Sequence, residues 1–193
     1  MGLSVSDYVR SRVVPLARQD IVEAPGSTLE LLDRRHRRKV FSSGDRRVDE
    51  WLERRALPAM RKNTSTTRVL ADEHGAIAGF YTLANTALDV SLVPTDLFHG
   101  EVPRHPPPTL TLAWLGVDSR FRGRGLGTQL FARALADGLH AFDTVRFVAV
   151  VVDALTEANV AFYESHGFRR VPGTTNKLFL PASTLIAIVE EST

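Results

Sequence analysis

The chain contains no cysteine. That excludes disulfides, thiolate metal sites and a cysteine nucleophile, and it agrees with a reducing compartment. No apolar run approaches the roughly 18 residues that a membrane span requires. The opening MGLSVSDYVRSR has no signal-peptide core, so a cytoplasmic location without membrane attachment is expected. Two histidines, His99 and His105, sit in a proline-rich stretch with no partner at metal-ligand spacing, and the sequence calls for no metal. A strong overall charge is also missing: the formal net charge is +2. The charge is unevenly placed, however. Residues 1–70 hold 15 Lys/Arg against 9 Asp/Glu, and the remainder holds 9 against 13. Such asymmetry fits a basic face with a polyanionic partner, or equally a solvated surface.

What is present is the composition of an ordinary globular protein, 44% hydrophobic and 24% charged over 193 residues. The most informative stretch is 109–139. An apolar run from Leu110 to Val117 stops at Asp118. Arg122-Gly123-Arg124-Gly125-Leu126-Gly127 follows, and then a helical pattern with Leu126, Leu130, Phe131, Ala134, Leu135 and Leu139 on one stripe. A strand, a basic glycine loop and a helix in that order seat a phosphate chain: glycines let the backbone approach, N–H groups converge, and the helix adds its positive end. The Lys-Ser/Thr ending of a nucleotide-binding P-loop is missing.

Elsewhere, spacing predicts a helix within residues 3–18 that Pro15 ends or kinks, a linker around Ala24-Pro25-Gly26, and a short second helix from Ser27 or Thr28 through Leu29, Leu31 and Leu32. The basic run Arg34-Arg35-His36-Arg37-Arg38-Lys39 comes next. After a Ser-Ser-Gly-Asp turn, a helix is expected with Val48, Trp51, Leu52, Ala56 and Ala59/Met60 buried. Arg47, Arg54 and Arg61 are spaced by seven on another face, with Arg55 and Lys62 beside them, and Pro58 threatens to shorten the helix. Residues 67–73 and 76–84 read as a hairpin with Val69, Ile77, Phe80 and Leu83 inside. Residues 145–152 read as a buried strand, 153–168 as a short helix closed by Gly167, and 168–171 with 177–180 as a last hairpin. The tail ASTLIAIVEE fits either a helix or a strand.

The order of elements resembles the GNAT superfamily of acetyl-CoA-dependent N-acetyltransferases. Its loop pattern, Arg/Gln-x-x-Gly-x-Gly/Ala, is met by Arg122, Gly125 and Gly127. Its second landmark is nearly met by Asn159, Phe162, Tyr163, Gly167 and Phe168. The resemblance implies an α/β (α+β) fold with a mixed, mostly antiparallel central sheet flanked by helices. Over about residues 36–185 the chain further resembles the GNAT-fold toxins of bacterial type II toxin–antitoxin systems. Their opening reads here as Phe41, Ser43, Gly44, Val48, Asp49, Trp51 and Leu52; Asn63, Ser65 and Thr67, Gly79 to Leu83 and LFLPASTL also match. The family's cysteine is Ser43 here, so it is not needed for chemistry, and Trp114 stands where the family has arginine. Residues 1–35 fall outside this pattern and are expected to form an N-terminal helical extension to a GNAT domain at 36–193.

From the resemblance, acetyl-CoA is the co-substrate. Arg122, Gly123, Arg124, Gly125, Leu126 and Gly127 are expected to hold its pyrophosphate, and Leu115, Gly116 and Val117 its pantetheine arm, with the Val117 N–H polarising the acetyl carbonyl. Tyr163 is the expected general acid toward the thiolate, with Asn159 and Phe162 at the cofactor. The implied acceptor is the α-amine of an aminoacyl-tRNA, with Arg35, Arg38, Arg47, Arg54 and Arg61 on its phosphates. The implied partners are a ribbon-helix-helix antitoxin and a second copy of the chain. An ordinary GNAT enzyme acting on a small amine or a protein is the alternative. Residues 3–13 resemble the helix opening of ribbon-helix-helix antitoxins, which would make them a regulatory segment; a short helix packed on its own domain is the other reading.

Overall fold

The structure, a computed structural model, describes residues 24, 26–89, 97 and 104–190, with side chains of the last helix as far as 186. The expected helix in 3–18, Pro25 and His99 lie outside the described residues. The strands are β1 (Ser27–Leu31), β2 (Thr66–Asp72), β3 (Ile77–Ala87), β4 (Pro108–Val117), β5 (Ala149–Asp153), β6 (Arg169–Arg170) and β7 (Lys177–Pro181). They form one mixed, mostly antiparallel sheet in the order β1-β2-β3-β4-β5-β7-β6. The helices are α1 (Arg46–Glu50), α2 (Ala56–Arg61), α3 (Leu126–Phe142), α4 (Glu157–Ser165) and α5 (Ala182–Glu190). The described residues divide into two compact units: one holds those within 24–84 and 112–135, the other those within 85–111 and 136–190.

In the first unit, the segment expected to form a second short helix is instead β1. It pairs antiparallel with β2 from Ser27↔Asp72 to Leu31↔Arg68, and the Leu32 N–H continues the pairing to the Thr67 carbonyl at 3.0 Å. A cross-strand ladder recruits these residues, and five residues are too few for a helix to outweigh it. Residues 27–31 therefore belong to the same sheet as the strands after residue 36. The β2–β3 hairpin is as expected, with Val69, Ile77 and Phe80 buried and Leu83 half-buried.

Pro58 does not shorten the helix after Asp45; a π-turn at Trp51–Arg55 joins α1 to α2, and the helix runs on to Arg61. In that turn the Ala56 N–H reaches back to the Trp51 carbonyl, one residue further than in an α-helix. The wider register accommodates Pro58, which has no N–H to give to residue 54. The turn also breaks the alignment of Arg47 with Arg54 and Arg61, since seven residues stack only in a continuous α-helix. Val48, Leu52 and Ala56 are buried as expected, whereas Trp51 is half-buried. On β4, Gly116 permits close packing: a Cβ there would come within 2.7 Å of Phe80 and 2.8 Å of Val48.

In the second unit, the strand expected at 145–152 begins at Ala149. Val145 is 52% exposed, and its N–H, with that of Thr144, closes the end of α3 on the Ala141 carbonyl. β5 pairs with β7 from Ala149↔Pro181 to Asp153↔Lys177, and Ala149, Val151, Val171 and Phe179 form a buried cluster. β6 and β7 make the expected hairpin. The tail is a helix, α5.

Candidate active site

The sequence singled out the loop after β4, and its geometry suits an anion. Asp118 ends the strand, and its side chain accepts the Arg120 N–H at 3.0 Å to start a turn at Ser119–Phe121. Gly123 and Gly125 both lie at φ +75°, and a Cβ on either would meet nothing within 4 Å. An L side chain would strain that backbone without touching anything, so these glycines serve conformation and open access. The ladder of α3 starts with the Gln129 N–H on the Gly125 carbonyl at 3.2 Å. Ahead of it, the N–H groups of Gly123 to Thr128 find no acceptor among the described residues. Six unpaired donors at a helix N-terminus form a seat for a phosphate chain, so the residues present fit the pyrophosphate of acetyl-CoA.

The two arginines of this loop differ. Arg124 is exposed, its guanidinium 5.6 Å from the Phe121 ring centroid. Arg122 turns back instead: its Nη2 donates to the Ser43 carbonyl and lies 3.0 Å from where a Gly44 Cβ would be. It belongs to a tie between this loop and the turn ahead of α1. The Ser119 N–H donates to the Ser42 carbonyl at 2.8 Å, and the Ser42 N–H to Asp118 Oδ2 at 3.2 Å. Ser43 donates to Asp49 Oδ1 from both its N–H and its Oγ, each at 2.7 Å. Burial alone would raise the Asp118 pKa; the hydrogen bonds from Arg120 and the Ser42 N–H outweigh it and hold the carboxyl below its usual range.

Beside this tie, Trp51 and Trp114 stack with centroids 5.3 Å apart and ring planes 15° from parallel. Trp51 Nε1 donates to Thr82 Oγ1 at 3.1 Å, which in turn lies 2.8 Å from Thr67 Oγ1, both threonines being fully buried. Leu115 and Val117, on the same strand, are half-buried.

In the second unit, Thr156 caps α4 and the helix closes in a Schellman motif. The Phe168 N–H reaches the Tyr163 carbonyl at 3.1 Å, the Gly167 N–H reaches that of Glu164 at 3.0 Å, and Gly167 has φ 89°. Tyr163 is buried, its ring 5.3 Å from Phe162 and 5.6 Å from Phe168, and burial pushes its phenol up to about 12. Asn159 is exposed; its N–H donates to Thr156 Oγ1 at 3.2 Å, and its Oδ1 accepts from the same hydroxyl at 2.8 Å. Asn159 and Tyr163 thus share a helix but not an environment. Sequence reasoning missed His166, which is buried with Nδ1 2.6 Å from the Phe162 carbonyl; burial lowers its pKa.

The family model described as "Acetyltransferase (GNAT) family" matches residues 28–168. The chain belongs to the GNAT acetyltransferases. It is 33% identical over 135 residues, 68% of its length and 78% of the relative's, to a tRNA-acetylating toxin of Mycobacterium tuberculosis (strain ATCC 25618 / H37Rv). It is 26% identical over 171 residues, 83% of its length and 94% of the relative's, to a probable toxin TacT of Sinorhizobium fredii (strain NBRC 101917 / NGR234). Among solved structures, AtaTR bound with AcCoA superposes with a TM-score of 0.76 at 24% identity, over 86% of this chain and 99% of that one. AtaT complexed with acetyl-methionyl-tRNAfMet gives 0.76 at 24%, over 84% and 99%. As a GNAT enzyme, the chain is an acetyltransferase, and the GNAT match begins inside β1.

The five arginines expected on tRNA phosphates are unequal in this GNAT chain. Arg35 pairs with Glu30 and Asp33, and Arg47 with Asp45 at 2.6 Å. Arg38 is half-buried and donates to the Glu53 carbonyl at 2.8 Å. Arg54 is 69% exposed with Glu53 only at 3.9 Å, and Arg61 is exposed with no ion pair among the described residues. Of the five, the last two carry the charge least engaged by protein partners. Among the described residues no cluster of His, Cys, Asp or Glu could hold a metal, and no helix is long and apolar enough to cross a membrane.

Proposed function

We propose that this chain acetylates the α-amino group of an aminoacyl-tRNA from acetyl-CoA and so blocks translation, as the toxin of a toxin–antitoxin pair. The donor half rests on the glycine loop and its six unpaired N–H groups. The acceptor half rests on one observation, the 33% identity to a tRNA-acetylating toxin. Acetyl-CoA supplies an activated acyl group: the amine forms a bond to the acetyl carbon, the carbon–sulfur bond breaks, and a proton goes to the sulfur.

The chain's residues divide this work. The N–H groups from Gly123 to Gly127 bind the pyrophosphate, with Arg124 adding charge and Arg122 holding the loop to Ser43. Leu115 and Gly116 align the pantetheine arm, and the Val117 N–H polarises the acetyl carbonyl. Tyr163 delivers the proton to the leaving sulfur, and Phe162 packs against it. Asn159, exposed on the same helix, holds the cofactor. No base is required, because an α-amine titrates near about 7.7–8.0 and is substantially neutral at cellular pH. Arg54 and Arg61 take tRNA phosphates first, with Arg35, Arg38 and Arg47 as lesser contributors. The reading carries a cytoplasmic enzyme, a homodimer and a ribbon-helix-helix antitoxin; solved structures of AtaT bound to the C-terminus of AtaR and of a KacTA–DNA complex support the antitoxin.

The test is incubation with acetyl-CoA and a pool of charged tRNA, followed by detection of N-acetyl-aminoacyl-tRNA. Transfer to one or more charged species is expected. Transfer to polyamines or peptides with none to any charged tRNA overturns the reading.

A further inference from the structure

The Trp51–Trp114 stack is unexplained by the chemistry above. Both rings are half-buried, whereas Tyr81, Phe80, Phe131 and Phe179 are almost fully enclosed. The polar edge of Trp51 is spent, because it donates its only indole N–H inward to Thr82, and Thr82 is braced by Thr67. What Trp51 leaves toward solvent is carbon and π-surface. The stack is also held in place: Trp51 opens the π-turn, the sort of helix irregularity that recurs at functional sites. Trp114 stands directly before Leu115 on β4, and Val117, the proposed carbonyl-polarising residue, is three positions on. At about 3.3 Å per residue, the indole is within roughly 10 Å of that amide along the strand.

We propose that Trp51 and Trp114 form the wall of the acceptor site that reads the amino-acid side chain on the charged tRNA, selecting apolar over acidic side chains. This rests on the aminoacyl-tRNA reading of the preceding section. An α-amine at the acetyl carbon carries its own side chain toward a rigid ring three positions back from Val117 on the same strand. An apolar side chain gains by leaving water against the indoles, whereas a carboxylate loses its hydration against the negative faces of the rings. Trp114 is thus a specificity residue, with Trp51 and the Thr82–Thr67 pair positioning it.

The test uses two readouts. These are the only two tryptophans in the chain, so tryptophan emission, excited beyond the tyrosine band, reports this stack. Without acetyl-CoA, titration with tRNA charged with an apolar amino acid shifts the emission, and uncharged tRNA or tRNA charged with aspartate does not. With acetyl-CoA, kcat/KM for apolar acceptors exceeds that for acidic ones by about 10- to 200-fold, the range hydrophobic pockets achieve. Trp114→Ala collapses this to within about threefold. Trp114→Leu, which keeps an apolar filling, retains much of the preference and guards against a folding defect, as does unchanged acetyl-CoA binding. Equal loss across all charged tRNAs in Trp114→Ala, or an unaltered preference, overturns the proposal while leaving the tRNA reading intact. Absence of transfer to any charged tRNA overturns both.

Discussion

The sharpest test of the chemistry is Tyr163→Phe. The substitution removes one oxygen from a buried ring whose contacts with Phe162 and Phe168 are made by carbon and remain. Loss of one hydrogen-bonding group costs about 0.5–1.5 kcal/mol of stability. The catalytic loss is larger, since a positioned general acid contributes about 10²–10⁴ in rate, or roughly 3–5 kcal/mol of barrier. Steady-state assays with charged tRNA are expected to show kcat falling by that factor, with acetyl-CoA affinity by calorimetry within about threefold of the parent. The pH dependence sharpens the test. Burial raises the phenol to about 12, so it stays protonated throughout any assay. The rate should rise through the α-amine's range near about 7.7–8.0 and then hold level to about pH 10. Folding is linked to the same proton: a raised pKa means the folded state binds it more tightly. That stability is complete below pH 10 and is lost as pH climbs through about 12. Unchanged turnover in Tyr163→Phe removes the residue from catalysis. A fall in wild-type rate between pH 8 and 10 that vanishes in the variant shows that the phenol is not held as described.

Three other outcomes follow from the site. Asp118→Ala strands the Ser42 and Arg120 N–H groups and should cost about 2–4 kcal/mol, a drop of roughly 4–16 °C in melting temperature by calorimetry. Because the Asp118 pKa is depressed, its contribution is present above the ordinary carboxylate range and lost as pH falls through the folded value. Asp118→Asn should therefore flatten the acid limb of the stability curve; an equally steep limb contradicts this assignment. Gly125→Ala forces a Cβ into φ +75° at about 1–2 kcal/mol and should raise KM for acetyl-CoA at least about tenfold with little change in kcat. Replacing Arg54 and Arg61 together by alanine should lower the salt dependence of tRNA binding by about one to two log–log units and leave acetyl-CoA binding alone; an unaltered slope removes both from the tRNA surface.

The legible parts of this fold are those whose causes are local. The glycine loop, the β2–β3 hairpin around Gly75 and the Gly167 closure of α4 each follow from residues within a few positions of one another. β1 did not announce itself, since Thr28, Leu29 and Leu31 become a strand only against β2, some 40 residues later. Val145 looked like strand because it precedes a β-branched run, yet the end of α3 claims its N–H. The same distance in sequence hid the site's supports. Asp118 reads as a strand terminus until Ser42 is placed beside it, and Trp114 reads as a lone departure from a family pattern until Trp51 is stacked on it. Asn159 was legible as a helix residue, but the Thr156 hydroxyl that occupies it was overlooked.

The π-turn at Trp51–Arg55 acts as a one-residue frameshift in an otherwise readable helix. On its amino-terminal side Val48 keeps phase with Phe41 and Gly116; on its carboxy-terminal side Ala56 and Leu57 keep a different phase with the core. Substitutions within the turn leave both phases standing, but deleting Glu53 would merge them into one. The merged helix would have to rotate either Val48 off β4 or Ala56 out of the interior, and Pro58 would regain its clash with the preceding turn. Length, rather than side-chain identity, is what this turn conserves.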